Sequence, residues 1–147
     1  MPSPNGADVN AQGGKYGNAL QAASNRGYQG TVRLLLDKGA DVNAQGGEFG
    51  NALYPASLNG HHETVQLLLG QGANVNAQGG KYGNALQAAS HGGHQWIVKL
   101  LLDQGADVNA QGGKYGNALQ AASDGGHLGR HQGIVELFLN AGAHVDA

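Results

Sequence analysis

The sequence predicts an all-α solenoid of four helix-turn-helix units joined by β-turn fingers, within a single domain covering 1–147. Glycine supplies 27 of the 147 residues, well above the usual level of about 7%, and these glycines recur in register. A motif of Gly-Ala, then Asp, Asn or His, then Val recurs at spacings of 33, 33, 33 and 37 residues, starting at Gly6, Gly39, Gly72, Gly105 and Gly142. Fixed periods of this length are typical of stacked supersecondary units.

The period divides the domain into a finger at 1–17 followed by four repeats. The repeats cover 18–50, 51–83, 84–116 and 117–147. The last repeat carries four extra residues near 128–131, and we expect them to bulge out as a longer loop because the segment contains a central glycine.

Each repeat opens with a short helix whose start is marked by an asparagine. In the segment Asn-Ala-Leu-Gln-Ala-Ala-Ser that begins at Asn18, the asparagine side chain can accept hydrogen bonds from the free N–H groups of the first turn. The alanines that follow favour a helix and are small enough to let neighbouring helices approach closely. The same cap is expected at Asn51, Asn84 and Asn117.

The second helix and the finger complete the unit. Val32, Leu35 and Leu36 recur at helical spacing and form an apolar stripe, and Gly39 supplies the turn that ends the helix. The Gly-rich segment that follows predicts an extended finger that reverses at a glycine pair. Because one unit cannot cover its own leucines, each worth about 1.5–3 kcal/mol when buried, the units must stack.

These motifs resemble the ankyrin repeats over nearly the whole chain. The likeness is clearest between Ala85 and Ala110, in the pattern ALQAAS, GH, IVKLLLDQGADVNA. The segments GNALQAAS and GADVNAQGG are also similar to the highly uniform ankyrin arrays of filamentous fungi, which are often part of nucleotide-binding, immune-type receptors. The resemblance implies a non-catalytic scaffold that binds a protein or peptide through a concave face and a variable helix-turn edge.

The chain departs from the family pattern at the start of the first helix. Family members usually carry Thr-Pro-Leu-His there, whereas the histidine position holds Gln21, Gln87 and Gln120, with Tyr54 in the second repeat. The hydrogen bonds of that histidine must therefore be made by amides. Pro55 removes a backbone donor from the second repeat's first helix and is expected to widen that turn.

Aromatic residues at the finger tips are the first candidate for a partner-binding surface. Each stands next to a charged residue, and the family resemblance places them on the concave face. Such a face suits a protein or peptide surface, but the rings could instead pack across repeat junctions and hold the fingers. The ladder consists of Tyr16, Phe49, Tyr82 and Tyr115, beside Lys15, Glu48, Lys81 and Lys114.

Positions that differ between the copies are the second candidate. Trp96 stands where the sister repeats have Gly30 and Glu63, so we expect it to be exposed and able to anchor an interface. The alternative is that exposed positions simply drift, since surface substitutions usually matter little. The full partner-binding set comprises Arg26, Tyr54, His91 and Trp96 together with the aromatic ladder.

A different class of function is a self-assembling structural array. The first and last units show no replacement of apolar by polar residues, although a solenoid normally needs polar outer faces at its ends. We expect either further repeats in a longer array or self-association through the last helix. The residues predicted to self-associate are Val135, Phe138 and Leu139.

Composition and motifs exclude most other classes. The formal net charge is −2 and the pI is about 6.3, which disfavours nucleic acid as the main partner, and no apolar run is long enough to span a membrane. The chain contains no cysteine, so it has neither disulfides nor thiolate metal sites, which suits a cytoplasmic location. No nucleophile elbow or phosphate-binding loop occurs. We expect no enzyme activity, no cofactor and no metal; His127 and His131, with Asp124, lack a converging set of ligands.

Overall fold

The computed structural model describes the backbone of residues 7–124 and 128–143, and the side chains of 7–124 and 132–143. The described residues form helices without strands, which confirms the predicted all-α solenoid. The helices are α1 (Ala19–Arg26), α2 (Gln29–Asp37), α3 (Leu53–Leu58), α4 (His62–Gly70), α5 (Ala85–Gly92), α6 (Gln95–Asp103), α7 (Ala118–Asp124) and α8 (Leu128–Asn140).

The helices stack in two layers. The first helices of the repeats, α1, α3, α5 and α7, pack in succession, and the second helices, α2, α4, α6 and α8, form the other layer. Alanines such as Ala56, Ala88 and Ala89 are fully buried between the first helices, which allows the close approach expected from the sequence. The apolar core between the layers includes Leu20, Val32, Leu53, Val65, Leu68, Leu86, Ile97, Leu101, Ile134 and Phe138.

Asparagine caps start the first helices as predicted. The Asn18 side-chain oxygen accepts from the Gln21 N–H at 2.8 Å, and the Gln21 side-chain oxygen accepts from the Asn18 N–H at 2.7 Å. Asn84 and Asn117 accept the corresponding N–H bonds at 2.8 and 2.9 Å. These bonds satisfy donors that an uncapped helix would leave open.

Pro55 shortens the first helix of the second repeat. In the other repeats the residue at its position donates to the carbonyl of the capping asparagine, as Ala22 does to Asn18 at 3.0 Å. Proline has no N–H, so this bond cannot form and α3 has six residues where α1 has eight. Asn51 still accepts from the Tyr54 N–H at 2.9 Å, so the cap survives.

The four extra residues of the last repeat extend a helix, so the expected loop at 128–131 is wrong. Helix α8 has 13 residues, whereas α2, α4 and α6 each have nine. Four residues make about one helical turn, so the insertion lengthens α8 at its start and leaves the apolar face around Ile134 and Phe138 in register with the core.

The fingers reverse at their glycine pairs, as predicted. In each finger the first glycine's N–H donates to the carbonyl of the glycine four residues later, at 2.6–2.9 Å. Neighbouring tips are also joined: the Glu48 N–H donates to the Lys15 carbonyl at 2.7 Å, and the Lys114 N–H donates to the Lys81 carbonyl at 3.0 Å. Backbone hydrogen bonds therefore join the first tip to the second and the third tip to the fourth.

Polar side chains connect successive units away from the tips. The Asn43 amide donates to the Gly72 carbonyl at 3.0 Å and accepts from the Asn74 N–H at 2.7 Å, and Asn10 and Asn76 make the same two bonds one unit earlier and later. Ring nitrogens of two histidines meet carbonyls at the end of the preceding first helix. His61 lies 3.1 Å from the Asn25 oxygen and His94 lies 2.9 Å from the Leu58 oxygen, whereas His127 lies outside the described residues.

Two matched glycine substitutions test the close packing of the fingers. Gly14 and Gly113 have the same backbone conformation, with φ of +72°, but only Gly113 lies against the carbonyl group of Tyr82. We expect Gly14→Ala to cost about 1–2 kcal/mol from left-handed backbone strain alone. Gly113→Ala should cost at least about 2 kcal/mol more, because the new methyl group overlaps the neighbouring finger. Urea unfolding measures both, and equal losses would contradict this account.

Candidate functional site

The finger aromatics form two separate stacks within the described residues. In the first stack, the ring centroids of Tyr16 and Phe49 are 5.8 Å apart and those of Phe49 and Tyr54 are 6.2 Å apart. In the second stack, Tyr82 and Tyr115 lie 5.7 Å apart with an interplanar angle of 2°. All four finger rings are half-buried, so they pack across junctions and still present part of their surface.

His91 belongs to the second stack, which unites two of the sequence-predicted sets. Its ring lies 4.4 Å from Tyr82 and 5.3 Å from Tyr115, at interplanar angles near 20°. The residue comes from the end of α5, whereas the tyrosines come from two successive fingers. A helix end and two fingers therefore converge on one aromatic platform, defined here as Tyr82, His91 and Tyr115.

Tyr54 lies in the interior, so its predicted availability to a partner is corrected. It is only 1% exposed, and its hydroxyl accepts from the Tyr82 N–H at 2.7 Å. Burial raises the pKa of Tyr54 to about 12. The side chain replaces the amide of the sister repeats and ties α3 to the third finger, so its role is structural.

The glutamines at the same position make the bonds that the sequence assigns to amides. The Gln21 amide donates to the Gly46 carbonyl at 2.9 Å, and the Gln87 amide donates to the Gly112 carbonyl at 3.0 Å. Both glutamines are 1% exposed. Each one therefore fastens its own first helix to the finger that ends the same repeat, whereas Gln120 is exposed.

The charges of the finger tips differ between the first two fingers and the last two, which also carry the two separate ring stacks. The Lys15 ammonium and the Glu48 carboxylate form an exposed ion pair at 3.7 Å. Lys81 and Lys114 are exposed and lie 5.6 and 5.3 Å from the ring centroids of the tyrosines that follow them. No carboxylate of the described residues forms an ion pair with either lysine. The last two tips therefore carry two cations beside the aromatic platform.

Asp124 is a neighbour of this platform whose role the sequence reading missed. Partial desolvation raises the pKa of Tyr115, and the Asp124 carboxylate, acting as hydrogen-bond acceptor and as charge, raises it further. Asp124 occupies the same place in its repeat as His91 does in the preceding one. Comparison of the copies places Asp124 at the position of His91, whereas its own chemistry suggests only a metal ligand.

The remaining variable residues are exposed but lie apart. Arg26 ends α1, in the layer that carries the aromatic platform. Trp96 is 55% exposed, which confirms the expected exposure, but it lies on α6 in the second layer beside Lys99 and Leu137. Trp96 and the finger aromatics therefore belong to different surfaces of the solenoid.

The last helix presents less apolar surface than the sequence suggested. Phe138 is fully buried in the core, so its predicted part in self-association is corrected: it aligns with the buried Leu101 of the previous repeat. Val135 is half-buried and Leu139 is 48% exposed. At the opposite end, Tyr28 and Leu34 are each 57% exposed.

Two features are absent from the part of the chain that the structure describes, namely a metal-binding cluster and a membrane-spanning helix. That part contains no group of three or more His, Asp or Glu side chains that could hold a metal ion, and the side chains of His127 and His131 lie outside it. None of its helices combines the length and apolar character needed to cross a membrane.

Helix pairs stacked through capped turns and glycine fingers define a solenoid protein that presents an extended surface. A sequence profile of ankyrin repeats, comprising three copies, matches residues 3–79 and again residues 53–147. The chain therefore belongs to the ankyrin repeat family, whose members generally mediate protein–protein interaction and are typically non-catalytic scaffolds. A comparison with curated proteins found no significant match.

Replacing Gln87 tests how strongly this side chain holds α5 to the finger that follows. Gln87→Ala should lower the free energy of unfolding by about 2–4 kcal/mol, because it empties buried space and leaves the Gly112 carbonyl without its donor. Gln120→Ala removes the corresponding side chain one repeat later, where it is exposed, and should change stability by less than about 0.5 kcal/mol. Chemical denaturation of both variants gives the comparison, and similar losses would refute the bridging role.

Alkaline stability tests the buried hydroxyl of Tyr54. Its folded-state pKa of about 12 exceeds the unfolded value of 10.0, so its contribution is complete below pH 10 and declines as pH rises from there towards 12. We expect the wild-type protein to lose more stability than Tyr54→Phe between about pH 8 and pH 11. Denaturant titrations at the two pH values measure this, and parallel losses would contradict the assignment.

Proposed function

We propose that the protein is a non-catalytic recognition scaffold that binds a protein or peptide through its concave face. This face comprises the finger tips and the adjoining ends of the first helices. The observation that carries the proposal is the convergence of the half-buried platform of Tyr82, His91 and Tyr115 with two exposed lysines. Aromatic residues are enriched in protein interfaces, where they supply much of the binding energy.

The packing of the platform suits recognition by a preformed surface. Stacking fixes the three rings, and the Tyr54 hydroxyl holds the Tyr82 backbone at 2.7 Å. A partner therefore does not have to order these groups, which reduces the entropic cost of binding. Arg26 extends the same layer at the first repeat, whereas Trp96 lies in the other layer and stands outside the proposed surface.

A second candidate function is end-to-end assembly with other copies. It is favoured by the exposure, at each end, of positions that the inner repeats cover. Leu34 is 57% exposed, whereas its counterparts Leu67 and Leu100 pack against the core. Gln120 is exposed at the other end, whereas Gln87 is 1% exposed. A second copy stacked like an internal repeat would cover both ends, with Leu139 at the contact.

Site-specific photocrosslinking separates the two candidates. A benzoylphenylalanine placed at Glu48, on an exposed finger tip, reports on the concave face, and one at Gln66, exposed on α4, reports on the second layer. The same group at Leu139 reports on the end of the array. In a cell extract, we expect a crosslink to a different protein from Glu48 and none from Gln66.

The outcomes bear on the proposal in opposite directions. Loss of the Glu48 crosslink on addition of excess unmodified protein would show that the contact is saturable. A crosslink from Leu139 to a second copy, without any foreign protein at Glu48, would favour the structural array. Equal crosslinking from Glu48 and Gln66 would overturn the assignment of recognition to the concave face.

A further inference from the structure

We infer that the tips of the third and fourth fingers form a binding site for acidic side chains, so that the partner contributes an extended segment with carboxylates at alternate positions. The site consists of the ammonium groups of Lys81 and Lys114 beside the platform of Tyr82, His91 and Tyr115. The inference rests on the proposed function and narrows the class of its partner.

The first two fingers provide an internal comparison. Both pairs of tips share the same backbone arrangement, with an N–H to carbonyl bond of 2.7 Å at Glu48 and Lys15 and of 3.0 Å at Lys114 and Lys81. In the first pair, opposite charges meet at 3.7 Å and satisfy each other. In the second pair, both tip residues are cationic. Like charges on directly adjacent finger tips repel each other, as they do when they face each other across neighbouring strands, and an external carboxylate would relieve that repulsion.

The surroundings leave the two ammonium groups accessible. Each lies over the ring of its own finger's tyrosine, and both lysines are exposed. Asp124 is an acidic neighbour of the platform, and its carboxylate contributes to the raised pKa of Tyr115. Within the described part of the chain, no carboxylate, that of Asp124 included, forms an ion pair with Lys81 or Lys114.

The spacing of the fingers matches an extended peptide. The rings of Tyr82 and Tyr115 lie 5.7 Å apart. Side chains on one face of an extended strand recur about every 6.6–6.8 Å, so the carboxylates of a Glu-x-Glu segment can reach both lysines. A protein segment is favoured over nucleic acid because the whole chain has a net charge of −2, and a phosphate backbone would meet repulsion outside the two tips.

A synthetic peptide tests the site directly. The probe is an acetylated, amidated Glu-Ala-Glu-Ala-Glu peptide, with a Gln-Ala-Gln-Ala-Gln peptide as its uncharged control, and binding is followed by NMR chemical-shift changes. We expect the acidic peptide to bind with a dissociation constant on the order of 1 mM and to shift signals of the last two tips. Raising the salt concentration from about 0.05 to about 0.5 M should weaken it severalfold.

Two charge exchanges make the test specific. Lys114→Glu gives the last two tips the cation and anion pattern of the first two, and we expect it to weaken peptide binding about tenfold or more. Glu48→Lys gives the first two tips two cations, and we expect it to create a second peptide site with shifts around Lys15. Lys114 and Glu48 are both exposed, and thermal unfolding checks that both variants stay folded.

Several results would overturn the inference. These are equal binding of the Gln peptide, unchanged affinity in Lys114→Glu, or stronger binding of a single-stranded oligonucleotide than of the acidic peptide. The proposed function is tested separately. If the Glu48 photocrosslink to a foreign protein persists in Lys114→Glu, the acidic-segment inference is wrong while recognition by the concave face stands. If the peptide binds as expected and no foreign protein is crosslinked, the acidic site stands and the proposed function fails.

Discussion

The hydrogen bond from a buried first-helix amide to the next finger is the constraint on which the rest of the structure depends. The Gln21 side chain accepts from the Asn18 N–H at the start of α1 and donates to the Gly46 carbonyl of the following finger, and the Gln87 amide donates in the same way to the Gly112 carbonyl. One side chain of the first helix therefore fixes the position of the next finger. The fingers must then run very close to one another, and glycine is required where a methyl group would overlap a neighbouring backbone, as at Gly113. The apolar core needs this registry, since each repeat covers the leucines of the one before it.

The substitution of Tyr54 for the glutamine of the sister repeats coincides with a division of the finger tips into two groups. Tyr54 replaces the amide in the second repeat, and its hydroxyl reaches the Tyr82 backbone directly. Its ring also joins the stack of Phe49, which leaves Tyr82 free to stack with His91 and Tyr115. The first two tips, whose opposite charges form an ion pair, therefore meet the two cationic tips at the substituted side chain of Tyr54.

The repeating features of the fold could be predicted from the sequence, because the same local physics occurs four times. Asparagine caps, glycine reversals and the apolar stripe each have a short-range cause and were found as expected. The inserted turn of α8 could not be settled, since its glycine disfavours a helix by only about 1 kcal/mol and tertiary packing outweighs that. The burial of Tyr54 and Phe138 follows from their positions, since their counterparts Gln21 and Leu101 are also buried. The chemistry of an aromatic side chain does not predict it, because such a side chain suits an interface equally well. Convergence of His91 with two fingers is a long-range contact that no local pattern contains.

The junction at Tyr54 also has a mechanical consequence. Backbone bonds join the tips of the first and second fingers and those of the third and fourth, and the phenolic hydroxyl of Tyr54 holds the third tip to α3. A side chain turns about its own torsions, whereas a backbone bond fixes two chains at once. The attachment of the third finger to α3 therefore depends on the torsion angles of one tyrosine.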